Sequence, residues 1–81
     1  MASNKDLLKS WIVEALDSQQ GAMTVLEVAK YVWLHHEDDL RDAGDLFYSW
    51  QYDLRWAAQV LRDEGVLRAK DGQRNGGWQL A

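Results

Sequence analysis

Apolar residues in the first third of the chain recur at helical spacing. Leu7, Leu8, Trp11, Ile12, Ala15 and Leu16 lie on one stripe of a cylinder that turns by about 100° per residue. Ser3 followed by Asp6 has the form of a capping box with Asp in place of Glu, and Gly21 offers positive φ beyond the last turn. The pattern predicts a helix from Asn4 to Gln19. A second start follows where Thr24 precedes Glu27 by three positions, with Met23 placed to staple onto Val28. Val25, Val28, Ala29, Val32 and Trp33 then share one side, while Glu27, Lys30 and Leu34 share the other. The pattern fades near His36, which predicts a helix of about three turns.

Between 37 and 48 the periodicity is interrupted by Glu37, Asp38, Asp39, Asp42, Asp45 and Gly44, a composition suited to a solvated connection with a turn of helix around Leu40. It returns with Trp50, Leu54, Ala57 and Leu61, predicting a third helix with Ser49 as N-cap, Glu64 as its last residue and Gly65 as terminator. Two short extended stretches follow, 66–70 and 77–80, joined by a segment holding Asp71-Gly72 and Asn75-Gly76 turn pairs. Alternation across the strands points Leu67, Ala69, Trp78 and Leu80 inward and Arg68, Lys70 and Gln79 outward. Helices followed by a hairpin predict an α+β, mostly α fold: a winged helix-turn-helix of three helices and a two-stranded β-hairpin wing, occupying 1–81 as one domain. An unrelated small α+β domain is the alternative.

The composition fits that reading. The chain has 81 residues, 47% of them hydrophobic and 27% charged, with no cysteine. That is enough apolar material for one small core, and it leaves no disulfide framework, thiolate metal site or cysteine nucleophile. The longest stretch without a charged side chain, Ser18 to Leu26, falls well short of the roughly 18 residues a membrane span needs. No secretory h-region follows the N-terminus, so a cytoplasmic protein without membrane contact is expected.

Charge divides the chain. The net charge is −4, yet residues 51–81 hold Arg55, Arg62, Arg68, Lys70 and Arg74 against four acids, while residues 1–50 hold four cations against nine acids. On the third helix Gln51, Arg55, Gln59 and Arg62 fall within about 80° of one another, opposite Trp50 and Leu61. Arg and Gln carry forked polar ends that match guanine and adenine edges and also reach phosphates. Arg68, Lys70 and Arg74 would add cations on the wing, where backbone phosphates lie. The bland reading of the same stripe is the polar face that any surface helix needs. Against DNA stand the five carboxylates from Glu37 to Asp45, which repel phosphates over a Debye length of about 8 to 10 Å.

Other chemistry finds less support. His35 and His36 beside Glu37, Asp38 and Asp39 are metal-ligand types, but adjacent helical side chains diverge and no further His or Cys completes a tetrahedral site. The acidic run lacks the frame of a calcium loop. Ser10, Ser18 and Ser49 have no glycine elbow or local partner to make a nucleophile. No catalytic residue, metal, cofactor or small-molecule substrate is expected. The five tryptophans read mainly as core, with Trp50 and Trp78 inward; Trp56 either packs under the hairpin or anchors a partner.

The string from Phe47 to Ala58, followed by Leu61-Arg62, Gly65, Leu67 and then Gly77-Trp78 with Leu80, resembles the winged-helix domain at the N-terminus of Mrr-like restriction endonucleases and of related small bacterial proteins. The resemblance covers roughly 47–80 and rests on an Arg-Trp-Ala triplet, a Leu-x-x-x-Gly helix end and a closing Gly-x-Trp-x-Leu. It implies a DNA-binding helper, with Gln51, Arg55, Gln59 and Arg62 on the recognition helix and Arg68, Lys70 and Arg74 on the wing. Ala81 stands where the family has a strand-ending Thr, and no nuclease domain is present, so no cleavage activity is implied. The expectation is a non-catalytic module for double-stranded DNA. The alternative is a protein–protein interaction module that does not bind DNA and uses Trp56, the Arg/Gln stripe or the acidic segment.

Overall fold

Capping signals and an apolar stripe coincide in three stretches, and each is helical. The structure, a computed structural model, describes residues 4–68 and 77–81. Helix α1 runs Asn4–Gln19, α2 Val25–Arg41 and α3 Leu46–Asp63. The α1 bounds agree with its periodicity, although the left-handed conformation after it falls on Gln20 (φ 53°), one residue before Gly21. At the start of α2 the capping box closes in both directions. The Glu27 N–H donates to Thr24 Oγ1 at 3.1 Å, and the Thr24 N–H donates to Glu27 Oε1 at 2.9 Å.

Two boundaries depart from the pattern, and burial explains both. Helix α2 does not stop near His36. That residue has non-helical dihedrals (φ −130°, ψ 21°), but the helix resumes to Arg41 because Leu40, fully buried, anchors another turn in the core. Residues 37–41 of the expected acidic connection, with three of its five acids, are therefore the end of a helix. Helix α3 starts at Leu46 rather than after Ser49, because Leu46 and Trp50, one turn apart, are both buried. Ser49 lies inside the helix, its hydroxyl donating to Asp53 Oδ2 at 2.8 Å. The far end behaves as read. Gly65 takes φ +79°, the Val66 N–H bonds Leu61 O at 2.9 Å and the Gly65 N–H bonds Arg62 O at 3.0 Å, the paired contacts of a Schellman stop.

The expected α+β winged helix with a two-stranded β-hairpin wing is not what forms. The described residues make a three-helix globule with no sheet, and their extended pairing is limited to two isolated antiparallel bridges, Leu67 with Leu80 and Met23 with Trp78. The short C-terminal stretch is divided between two neighbours. Both polar backbone groups of Trp78 go to Met23, at 2.7 and 3.0 Å, while the Arg68 N–H donates to Gln79 O at 2.8 Å and the Ala81 N–H to Val66 O at 3.0 Å. Gly77 permits the first contact, since a Cβ there would overlap the Met23 carbonyl, but it supplies no side chain to a strand. The expected turn, with Ala69, Lys70 and Arg74, lies outside the described residues.

One core joins the pieces. Leu8, Ile12 and Leu16 of α1, Val28, Val32 and Leu40 of α2, and Leu54 and Ala57 of α3 are buried together, with Met23, Leu67 and Trp78 closing the end. Helix α1 packs more extensively on α3 than on α2. No buried side-chain polar atom among the described residues lacks a hydrogen-bond partner, as a small core requires. No described helix is long and apolar enough to cross a membrane.

Candidate functional site

The side of α3 away from the core is where the sequence-derived candidates gather. With Leu46, Trp50, Leu54, Ala57, Ala58 and Leu61 buried, helical geometry turns Tyr48, Gln51, Tyr52, Arg55 and Gln59 outward, and all five are exposed. Arg62 is partly buried. Trp56, which the wheel left between core and surface, is 47% exposed. Arg68 is exposed and follows Leu67, whose N–H bonds Leu61 O at 3.2 Å, so the Arg68 backbone leaves from beside the last turn of α3. Lys70 and Arg74 lie outside the described residues.

Their electrostatic surroundings decide what these groups can hold. Among the described residues, Arg55, Arg62 and Arg68 enter no ion pair. The two acids at the end of α3 have partners of their own. Asp63 Oδ1 accepts from the Gln59 amide at 3.2 Å, and Glu64 pairs with Lys9 at 2.8 Å, which raises the Lys9 ammonium above its ordinary pKa. Part of the mid-chain acid is likewise occupied locally, with Glu37 on Arg41 at 2.8 Å and Asp39 on His36 at 3.5 Å. At a rise of about 1.5 Å per residue, Arg55 lies roughly 15 Å along the axis from Asp45, and Arg62 roughly 25 Å. Both distances exceed the Debye length of about 8 Å at physiological salt. The acidic turn thus lies at the start of α3, while the arginines without ion pairs run from its middle to its end.

His36 organises the break in α2. Its ring stacks on Trp11 with centroids 4.4 Å apart, and Nε2 lies 2.8 Å from Glu14 Oε2. That hydrogen bond, helped by one from Tyr31, holds the Glu14 carboxyl below its ordinary pKa. The carboxylates of Glu14 and Asp39 sit against different ring nitrogens, and no cluster of three His, Cys, Asp or Glu among the described residues could hold a metal ion.

Periodicity alone did not identify a second feature, an open groove of about 690 Å³ between α2 and α3. Its floor is aromatic. Trp33 lies nearly parallel to Trp50 with centroids 6.2 Å apart, and Phe47 tilts against Trp33 at 6.3 Å. Leu26 and Leu34 stand on the α2 rim, 63% and 78% exposed, with Lys30 between them and Gln51 on the α3 side. The signal in the sequence was Leu34, an apolar residue on the polar side of its helix. The depth depends on the angle between two helices, which no local pattern encodes.

Comparison with known proteins returns no match: no family model fits the chain, and neither a curated protein nor a solved structure resembles it at a significant level.

Proposed function

We propose that the protein is a non-catalytic, cytoplasmic module that binds double-stranded DNA through the C-terminal half of α3. Arg55 and Gln59 reach base edges and Gln51 extends the same stripe, while Arg62 and Arg68 lie against the phosphate backbone. The observation that carries this reading is the set of three arginines, Arg55, Arg62 and Arg68, that run from the middle of α3 to just past its end without an ion pair among the described residues. A folded protein with net charge −4 has carboxylates available to pair with them, yet the acids of the same stretch of α3 engage other groups: Asp53 accepts from Ser49, Asp63 from the Gln59 amide, and Glu64 pairs with Lys9. Arginines left in this way offer their forked donors to an external anion. The Arg62 side chain also sits in the last turn of α3, where the helix dipole favours a cation, so part of its role is structural.

Fluorescence anisotropy of a labelled duplex at two salt concentrations tests the proposal. The wild type should bind at low salt and weaken steeply as salt rises, since each phosphate contact adds about −0.9 to the slope of log affinity against log salt. Arg55→Ala/Arg62→Ala should lower affinity and flatten that slope by about one unit for each phosphate contact removed. Absence of binding at low salt, or a double variant that binds as well as wild type, overturns the assignment.

A further inference from the structure

Building on the duplex reading above, we propose that the exposed tyrosines at the start of α3 stack on unpaired bases, so that the preferred ligand is a DNA duplex carrying a single-stranded extension. Tyr48 and Tyr52 are 86% and 80% exposed, more than any other large apolar side chain among the described residues. At 100° per residue they share a sector of about 60° with Arg55 and Gln59. They stand one turn apart, about 6 Å along the axis. The Phe47 ring, perpendicular to that of Tyr48 with centroids 5.3 Å apart, steadies the first of them. Two exposed aromatic rings on an otherwise polar helix face suit a ligand that offers flat, apolar faces beside charge.

The distribution of charge along α3 selects the occupant. No Lys or Arg occurs from Leu46 to Leu54, and the exposed acids Asp42 and Asp45 precede that stretch. The cations begin at Arg55 and continue to Arg62. From Arg55 to Arg62 the axial distance is about 10 Å, close to the major-groove width of about 12 Å. On a helix crossing that groove the tyrosines lie past its edge, where an intact duplex presents phosphates at roughly one charge per 1.7 Å. Those phosphates would meet no cation there, and Asp45 lies only about 4.5 Å along the axis from Tyr48. A single strand carries about half that charge density and bares its base faces, on which aromatic side chains stack whatever the sequence. The tyrosine end of α3 is thus complementary to bases and the arginine end to phosphates.

Anisotropy at low salt compares a labelled blunt duplex, the same duplex with a short unpaired extension, and the unpaired strand alone, with 2-aminopurine in the extension to report stacking. The extension should raise affinity about tenfold over the blunt duplex, and its 2-aminopurine should be quenched on binding. Tyr48→Ala/Tyr52→Ala should abolish both effects and leave binding of the blunt duplex unchanged. Tyr48→Phe/Tyr52→Phe should keep both, because stacking uses the ring and not the hydroxyl. Both positions are exposed, and thermal melting checks that each variant folds. Equal affinity for the blunt and extended duplexes, or an undiminished preference in the alanine variant, overturns the inference while the duplex reading stands. An unpaired strand bound as tightly as the extended duplex overturns both, since the paired part then contributes nothing. Absence of binding to all three DNAs likewise overturns both.

Discussion

Helix α3 has two flanks, and they are built differently. Toward α1 the contact is closed: Leu54, Ala57 and Leu61 are buried against Leu8, Ile12 and Leu16, and the small alanine lets the helix backbones approach. Toward α2 the contact is good only at its base, where Val28 and Val32 reach the core. Above that base the helices part and leave Trp33, Trp50 and Phe47 lining an open groove. The closed flank contributes stability, and the open one leaves Leu26 and Leu34 exposed beside it. The two can be altered separately because they lie on different sides of the same helix.

The largest effect should come from the closed flank. Leu54 is fully buried in the centre of α3, so Leu54→Ala removes buried methyl groups and leaves a cavity that the surrounding helices only partly fill. Urea unfolding should show a loss of about 2–5 kcal/mol, a large fraction of the total stability of a domain this small. A loss near zero would mean that α1 and α3 are not held by the seam described above.

A smaller effect is expected at the start of α2, which sets where the Leu26 wall stands. Thr24→Ala removes one half of the capping box and should cost about 1 kcal/mol at neutral pH. The other half titrates. Hydrogen bonding from the Thr24 backbone N–H holds the Glu27 carboxyl below its ordinary value of 4.5. A carboxyl with a lowered folded-state pKa stabilises the protein above its unfolded value, and that contribution is lost as pH falls through the lower folded value. Wild-type stability should therefore decline as pH drops below about 4.5, and Glu27→Gln should reduce the decline. If Glu27→Gln leaves the acid profile unchanged, the reciprocal cap does not form in solution.

These elements differ in how far the sequence specified them. The bounds of α1, the Thr24–Glu27 cap and the stop at Gly65 depend on residues within one or two turns, and the chain pattern located them correctly. The break at His36 was visible as a fading stripe, and a helical turn around Leu40 was expected; what the pattern did not show is that this turn continues α2 to Arg41. Whether Leu40 continues α2 depends on a distant core accepting it. Leu46 extends α3 backwards for the same reason. The expected wing failed on a longer-range choice: the Trp78 backbone could pair with the strand before it or with the α1–α2 linker, and Met23 was its partner. At the candidate site, the outward positions of Gln51, Arg55 and Gln59 followed from helix geometry alone. The partners of Asp63 and Glu64, which leave the arginines free of them, required the folded chain, as did the groove.

The smallest expected effect puts the same residue type on the open flank. Leu34 is 78% exposed, so Leu34→Ala removes little surface that folding had taken from water, and alanine has at least as high a helix propensity. Unfolding should change by less than about 0.5 kcal/mol, the usual range for surface substitutions. Leu54→Ala deletes the same atoms at a cost several times larger, so the pair measures the difference between the flanks with side-chain chemistry held constant. If Leu34→Ala proves as costly as Leu54→Ala, the leucine is covered in solution. A loss that grows with protein concentration would show that another copy covers it, because binding to the folded state adds stability by mass action. A loss independent of concentration would place the covering surface within the chain itself, closing the groove between α2 and α3.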